Sequence, residues 1–139
     1  MKKSLTIGFL FLMHTLVLSQ DWANLERYQA ENEQIIPGEH PVVFIGNSIT
    51  EGWVRMMPEF FEQNQYLGRG IGGQTTPQML LRFRQDVIDL KPNVVIILAG
   101  TNDIAGNTGP MTLEQIMDNI KSMAELSKAN HINVILSSV

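Results

Sequence analysis

The sequence predicts an α/β domain built on a parallel sheet, and three kinds of observation predict it. Val42-Val43-Phe44-Ile45 and Val94-Val95-Ile96-Ile97-Leu98 are short, continuous apolar runs, the pattern of strands covered by helices on both faces. The stretches between such runs carry apolar residues at helical spacing, and small or polar turns follow the runs. Strands that alternate with helices form βαβ units, whose crossovers are right-handed and whose strands pair in parallel.

Each element follows from its residues. Within residues 21–34, Trp22, Leu25 and Tyr28 recur at helical spacing among charges, which predicts an amphipathic helix ended by Pro37 and Gly38. Pro41 then opens the first strand. A second helix is expected over residues 50–63, kinked or ended at Pro58, where the ring removes a hydrogen bond. Tyr66-Leu67-Gly68 reads as the second strand, leading into a glycine cluster. Thr76 is expected as the N-cap of the next helix, with Pro77 at its first position. Leu80, Phe83, Val87 and Leu90 line one side of that helix, which stops before Pro92. After the strand at 94–98, Thr112-Leu113-Glu114-Gln115 fits a capping box. Leu113, Ile116, Met117, Ile120, Met123 and Ala124 are expected to form the buried face of a long helix, its methionines serving as core filling. Residues 132–136 read as the fourth strand, and no repeat or low-complexity segment appears.

With 44% hydrophobic and 17% charged residues in a chain of 139, the composition is that of one globular domain and not of a disordered segment. Residues 1–19 read as a signal peptide. Lys2 and Lys3 precede an apolar run at 5–18, shorter than the roughly 20 residues a bilayer span needs, and Val17 and Ser19 suit positions −3 and −1 of a cleavage site. The expected mature chain, residues 20–139, is exported to the periplasm or beyond and keeps no stable membrane anchor. Without Lys2 and Lys3, eight basic residues face fourteen acidic ones, a net charge of −6. That balance argues against nucleic acid or an anionic membrane surface as partner, because phosphate contacts rely on clustered Lys and Arg. The absence of cysteine excludes disulfides, a thiol nucleophile and Cys-ligated zinc. No His, Asp or Glu cluster has ligand spacing, so neither metal nor cofactor is expected.

In a parallel sheet the strand-to-helix loops emerge together at the carboxyl edge, where open α/β proteins place their ligands. Three such loops carry the unusual residues of this chain: Gly46-Asn47-Ser48-Ile49-Thr50, Gly70-Ile71-Gly72-Gly73-Gln74-Thr75 and Gly100-Thr101-Asn102-Asp103. A serine that ends a strand and opens a helix projects its hydroxyl past the sheet, while its own N–H joins the unpaired donors of the helix N-terminus. Such donors suit the developing oxyanion of acyl transfer, each contributing about 3 kcal/mol to the transition state. Gly73 supplies a backbone N–H with no side chain in the way, and Asn102 supplies a side-chain NH₂. Ser48 is therefore the candidate nucleophile, with Ser48, Gly73 and Asn102 as candidate oxyanion-hole donors. Bland readings stand beside these: Ser48 as a helix N-cap, the glycines as a tight turn, Asn102-Asp103 as an Asx-turn.

The three blocks resemble those of the SGNH hydrolases, also called GDSL-like lipases or acylhydrolases, over essentially all of residues 41–139. Gly46-Asn47-Ser48 is similar to their first block, usually Gly-Asp-Ser; Gly73 matches the second-block glycine; Gly100-Thr101-Asn102-Asp103 matches the third block, Gly-x-Asn-Asp. The resemblance implies a serine esterase working through an acyl-enzyme on Ser48, with the Ser48 N–H, the Gly73 N–H and the Asn102 side chain as its oxyanion hole. It also implies a three-layer, flavodoxin-like fold with strand order 2-1-3-4-5. Two departures matter. Asn47 replaces the usual aspartate, and the fourth block, Asp-x-x-His, which brings the general base, is missing from these residues. His14 leaves with the signal. His40 precedes the first strand, some 25 Å from Ser48 at about 3.3 Å per extended residue, and His131 precedes the fourth, so neither is expected to reach the serine. The expectation is a C-terminally truncated domain carrying strands 2-1-3-4 and inactive alone.

Two rivals remain at this point. Gly68-Arg69-Gly70-Ile71-Gly72-Gly73 satisfies the dinucleotide fingerprint G-x-G-x-x-G, but after the second strand and with no acidic residue at the end of the following strand, before Gly100, to hold a ribose. The stronger rival is a non-catalytic exported module that binds a glycan or other ligand in the same cleft. The expected substrate is a small-molecule or glycan ester with a short acyl group. Trp53, Met56, Met57 and Phe60 are read either as an acyl-pocket wall or as the inner face of their helix.

Overall fold

The computed structural model describes residues 21–138. The signal peptide read from the sequence, with His14, lies outside the described residues. A four-stranded, all-parallel sheet has the order β2-β1-β3-β4, with β1 at Val42–Gly46, β2 at Leu67–Gly70, β3 at Val94–Leu98 and β4 at Asn133–Leu136. The strand order that the resemblance implies for these four strands is the one observed.

Helices cover both faces, and alternation along β1 shows why. Val43 and Ile45 point into the main core with Val95 and Ile97, where α4 (Thr76–Phe83) and α6 (Leu113–Ala129) supply Met79, Phe83 and Met123. Phe44 points to the other face and meets Trp53 of α2 (Ser48–Met56) and Phe61 of α3 (Pro58–Gln63) edge-on, with centroids 5.2 Å away in each case. The break between α2 and α3 falls where Pro58 requires it.

Several expectations needed correction. Residues 21–34 form no single helix: a 3₁₀ turn at Leu25–Arg27 and a short α1 at Gln29–Asn32 flank Tyr28, after Asn24 enters the left-handed region at φ 53°. Hydrogen bonds to its backbone carbonyls, with Ala23 and Tyr28 buried beneath, fasten this strap. Gln78, Gln74 and Gln85 donate side-chain N–H groups to the carbonyls of Trp22, Ala23 and Leu25, and the buried Tyr28 hydroxyl donates to the Gly70 carbonyl. The cap of α4 sits one residue earlier than expected. Thr75 is the N-cap and forms the box with Gln78, because Thr76 is engaged elsewhere, by Asp103. Beyond Phe83 the helix widens into a π-turn, Arg84–Ile88. The capping box of α6 is present at Thr112 and Gln115, but its buried stripe is narrower than expected. Ile116, Met123 and Ser127 are buried, whereas Leu113 (68%) and Met117 (47%) stand exposed, off the seam with α4.

The glycines of β2 are packing residues. A Cβ on Gly68 would lie 2.1 Å from Val54 Cγ2, and one on Gly70 would lie 2.2 Å from the Glu51 backbone nitrogen. Helix α2 thus rests directly on β2. Gly70→Ala must push a backbone aside and is expected to cost roughly 3 kcal/mol in urea denaturation. Gly52→Ala, in the same helix but facing open space, is expected to stabilise by about 0.5–1 kcal/mol.

Tyr28 carries a pH prediction. Burial raises its phenol pKa above the ordinary 10.0, while the Arg27 and Arg69 charges over its ring pull the other way. A folded-state pKa above the unfolded one means that stability is intact below about pH 10 and falls as pH rises through the folded value. Tyr28→Phe is expected to remove that part of the alkaline decline and, at neutral pH, to lose about 1 kcal/mol with the bond to Gly70. Urea melts between pH 8 and 11 read both effects.

Candidate active site

The site begins with register. Gly46, the last residue of β1, is in step with Gly70 of β2 and Leu98 of β3, so three strands end in one row and their loops leave the sheet side by side.

In the first loop, buried Asn47 is the N-cap of α2. Its Oδ1 accepts from the Ile49 N–H at 3.0 Å, and its Nδ2 donates to Thr101 Oγ1 at 2.7 Å. An aspartate could make the first bond but has no N–H for the second, so the asparagine tethers the first loop to the third by donating. Because Asn47 takes the capping role, Ser48 is not an N-cap. It stands at the first helical position, exposed, with its own N–H at the positive end of α2.

The second loop folds onto this serine. The Ile71 N–H donates to the Gly46 carbonyl at 3.1 Å, and the Gly72 N–H donates to Glu51 Oε2 at 2.9 Å. A Cβ placed on Gly72 would be 3.9 Å from Ser48 Cβ, so the turn lies next to the serine with room for little more than one carbon between them. Gly73 has φ 77°, which turns the chain in a conformation that other residues resist. Its N–H carries no hydrogen bond among the described residues, and its carbonyl accepts from Asn107 Nδ2 at 3.1 Å.

The third loop enters α5 (Thr101–Ile104) through Gly100. Asn102 Nδ2 donates to the Gln74 carbonyl at 2.9 Å, which fixes the amide beside the second loop, and its other N–H has no partner among the described residues. Asp103 forms no Asx-turn. Its buried carboxylate accepts from the Thr76 N–H at 2.9 and 3.1 Å and from the Thr76 hydroxyl at 2.5 Å, while Asn119 Nδ2 donates to that hydroxyl at 3.0 Å. The negative charge sits at the N-terminus of α4, where the helix dipole favours it.

Ser48, Gly73 and Asn102 therefore share one edge, knitted by side chains that spacing alone did not reveal: the Asn47–Thr101, Asn102–Gln74 and Asp103–Thr76 links. The two histidines do not join them. His40 lies before β1, its Nδ1 2.7 Å from the Gln65 carbonyl, and exposed His131 lies before β4, both at the amino edge. Nor do the residues read as a possible acyl-pocket wall. Helix α2 runs away from Ser48 for about 1.5 Å per residue. Met56 (79% exposed) and Met57 thus end near the opposite edge, and Trp53 stacks on Phe60, centroids 5.5 Å apart, within the aromatic cluster around Phe44. No group of three or more His, Cys, Asp or Glu among the described residues could hold a metal ion.

Similar proteins carry the same architecture. The solved structure of a GDSL-like lipase, BT0569 of Bacteroides thetaiotaomicron, is 57% identical with a TM-score of 0.82, covering 84% of this chain and 58% of that one. An acetyl xylan esterase, AlAXEase, is 25% identical with a TM-score of 0.60, covering 68% of this chain and 56% of its own. The uncharacterized lipoprotein YqeF of Bacillus subtilis is 34% identical, in a match that covers 71% of this chain and 48% of that protein. The chain thus spans about half the length of the relatives it matches. The sequence model of the GDSL-like lipase/acylhydrolase family matches residues 44–138, from the middle of β1 past the end of β4, and the chain belongs to that family.

Proposed function

We propose that this chain carries the nucleophile and oxyanion hole of a serine esterase that removes short acyl groups, such as acetyl, from an exported glycan or small-molecule ester. Ser48 Oγ attacks the acyl carbon, the alcohol leaves, and water releases the acid from the acyl-enzyme. The carbonyl oxygen, negative in each tetrahedral intermediate, is held by the Ser48 N–H, the Gly73 N–H and the second N–H of Asn102 Nδ2. The observation that carries the reading is the closeness of the Gly72-Gly73 turn to an exposed serine at a helix N-terminus, with a Gly73 N–H that has no partner among the described residues. Family membership and the likeness to an acetyl xylan esterase support ester hydrolysis, and the glycan ester follows from that likeness together with the expectation of export. A nicotinamide reading of the glycines has less support, because Gly68 and Gly70 are accounted for by the seat of α2 on β2.

The serine proton needs a base. Among the described residues both histidines stand at the far edge, and an unassisted serine is a weak nucleophile. The purified 139-residue chain is therefore expected to hydrolyse p-nitrophenyl acetate no faster than its Ser48→Ala variant. Serine-dependent turnover at ordinary enzyme rates would mean that a base within these residues serves. The same observation favours a second reading, a non-catalytic binding module on this fold. Long exposure to a fluorophosphonate separates the two. A reactive Ser48 takes the label, Ser48→Ala takes none, and Asn102→Ala labels about a hundredfold more slowly through loss of one donor. Equal labelling of wild type and Ser48→Ala would remove Ser48 from the mechanism.

A further inference from the structure

Beneath the proposed site lies a guanidinium that no substrate can touch. Arg82, on α4, is fully buried at 0% exposure, and each of its nitrogens is spoken for. Nη2 donates to the Gly46 carbonyl at 3.0 Å and to the Arg69 carbonyl at 2.9 Å, Nε to Gln74 Oε1 at 2.6 Å, and Nη1 to Asp86 Oδ2 at 2.8 Å. Gly46 is two residues before Ser48, and Arg69 is the last strand residue but one before the Gly72-Gly73 turn. Gln74 follows that turn directly, and its backbone carbonyl is the one that receives Asn102 Nδ2. One rigid group thus reaches the root of the first loop, both ends of the second and, through Gln74, the side chain of the third.

We infer that Arg82 is the positioning residue of this site, setting where the Ser48 and Gly73 loops leave the sheet and how the Asn102 amide is aimed. The inference rests on the function proposed above for what those loops do, but not for the geometry itself. A planar fork with five donors can serve four acceptors in different directions, whereas an ammonium offers three donors at a single point. Asp86 neutralises the charge, and Asn32 Nδ2 of the N-terminal strap holds its second oxygen at 2.7 Å. A cation used only for packing would need neither two strand-end carbonyls nor the glutamine that carries the turn. Gln74 completes the device: its Nε2 donates to the Ala23 carbonyl at 2.7 Å, so the residue that relays Arg82 to Asn102 is pinned from both sides.

Removing Arg82 alone strands a buried carboxylate and unfolds many proteins. The informative variant is therefore Arg82→Met with Asp86→Leu, which keeps the volume and removes the pair. Two-dimensional amide NMR of the 139-residue chain is the primary readout. In the folded double variant the amides of Asn47, Ser48, Gly72, Gly73 and Gln74 are expected to shift and to exchange with solvent at least tenfold faster, with those of β4 unchanged. Fluorophosphonate labelling of Ser48 is expected to slow at least tenfold. Unchanged turn amides in the folded double variant would overturn the inference. If wild type and Ser48→Ala label alike while the amides move as expected, the catalytic reading fails and the positioning role stands. A second measurement needs no variant: in the wild-type chain the Arg82 Nη protons are expected as separate, slowly exchanging signals, and a single averaged signal would contradict a guanidinium locked on four acceptors.

Discussion

The carboxyl edge of this protein depends on one constraint, the in-step parallel pairing of β1 with strands on both sides. Gly46 faces Gly70 on one flank and Leu98 on the other, so loops separated by dozens of residues start from a single line. A shift of one residue in either pairing would turn every side chain of the strand to the opposite face. Val43 and Ile45 would then leave the core that holds Met79, Phe83 and Met123. Burial therefore enforces the alignment that the site needs, and the same apolar residues that stabilise the fold bring Ser48 beside the Gly72-Gly73 turn.

Polar groups take over where the strands end. The buried side chains of Asn47, Arg82 and Asp103 tie one loop to another, that of Gln74 ties the second loop to Arg82 and the N-terminal strap, and every buried side-chain N or O atom among the described residues has a partner. A buried polar network is stabilising only when its members are satisfied, and this one is. It explains how exposed backbone at Gly72 and Gly73, which has no side chains of its own to pack, can be held rigid. Desolvation lowers the Arg82 pKa from the ordinary guanidinium value, and the hydrogen bond and charge of Asp86 oppose that shift.

The parallel sheet, the α2–α3 break at Pro58 and the placement of the three loops were legible in the sequence because each follows from local rules: continuous apolar runs, proline geometry and turn residues; the strand order came from the family resemblance alone. What escaped was set by partners distant in the chain. The strap at 21–34 is held in part by glutamine side chains on its carbonyls, a contact with no periodicity to read. The cap of α4 moved to Thr75 because Asp103, 27 residues on, claims Thr76. Leu113 and Met117 fit the apolar spacing of α6 yet lie off its seam, since periodicity defines a stripe but not its width. Asn102 was legible as a donor, but the Gln74 carbonyl that aims it was not. Nothing in the spacing marks Arg82, and only the fold reveals that its face is the inner one.

The central claim is that the three loops form one hole around the oxygen of an acyl group bound to Ser48. Its most direct measurement is the crystal structure of the chain after reaction with a small alkyl fluorophosphonate. The account predicts phosphorus bonded to Ser48 Oγ and the phosphoryl oxygen about 3 Å from the Ser48 nitrogen, the Gly73 nitrogen and Asn102 Nδ2. An adduct on Ser48 whose phosphoryl oxygen turns to solvent, away from Gly73 and Asn102, would contradict it.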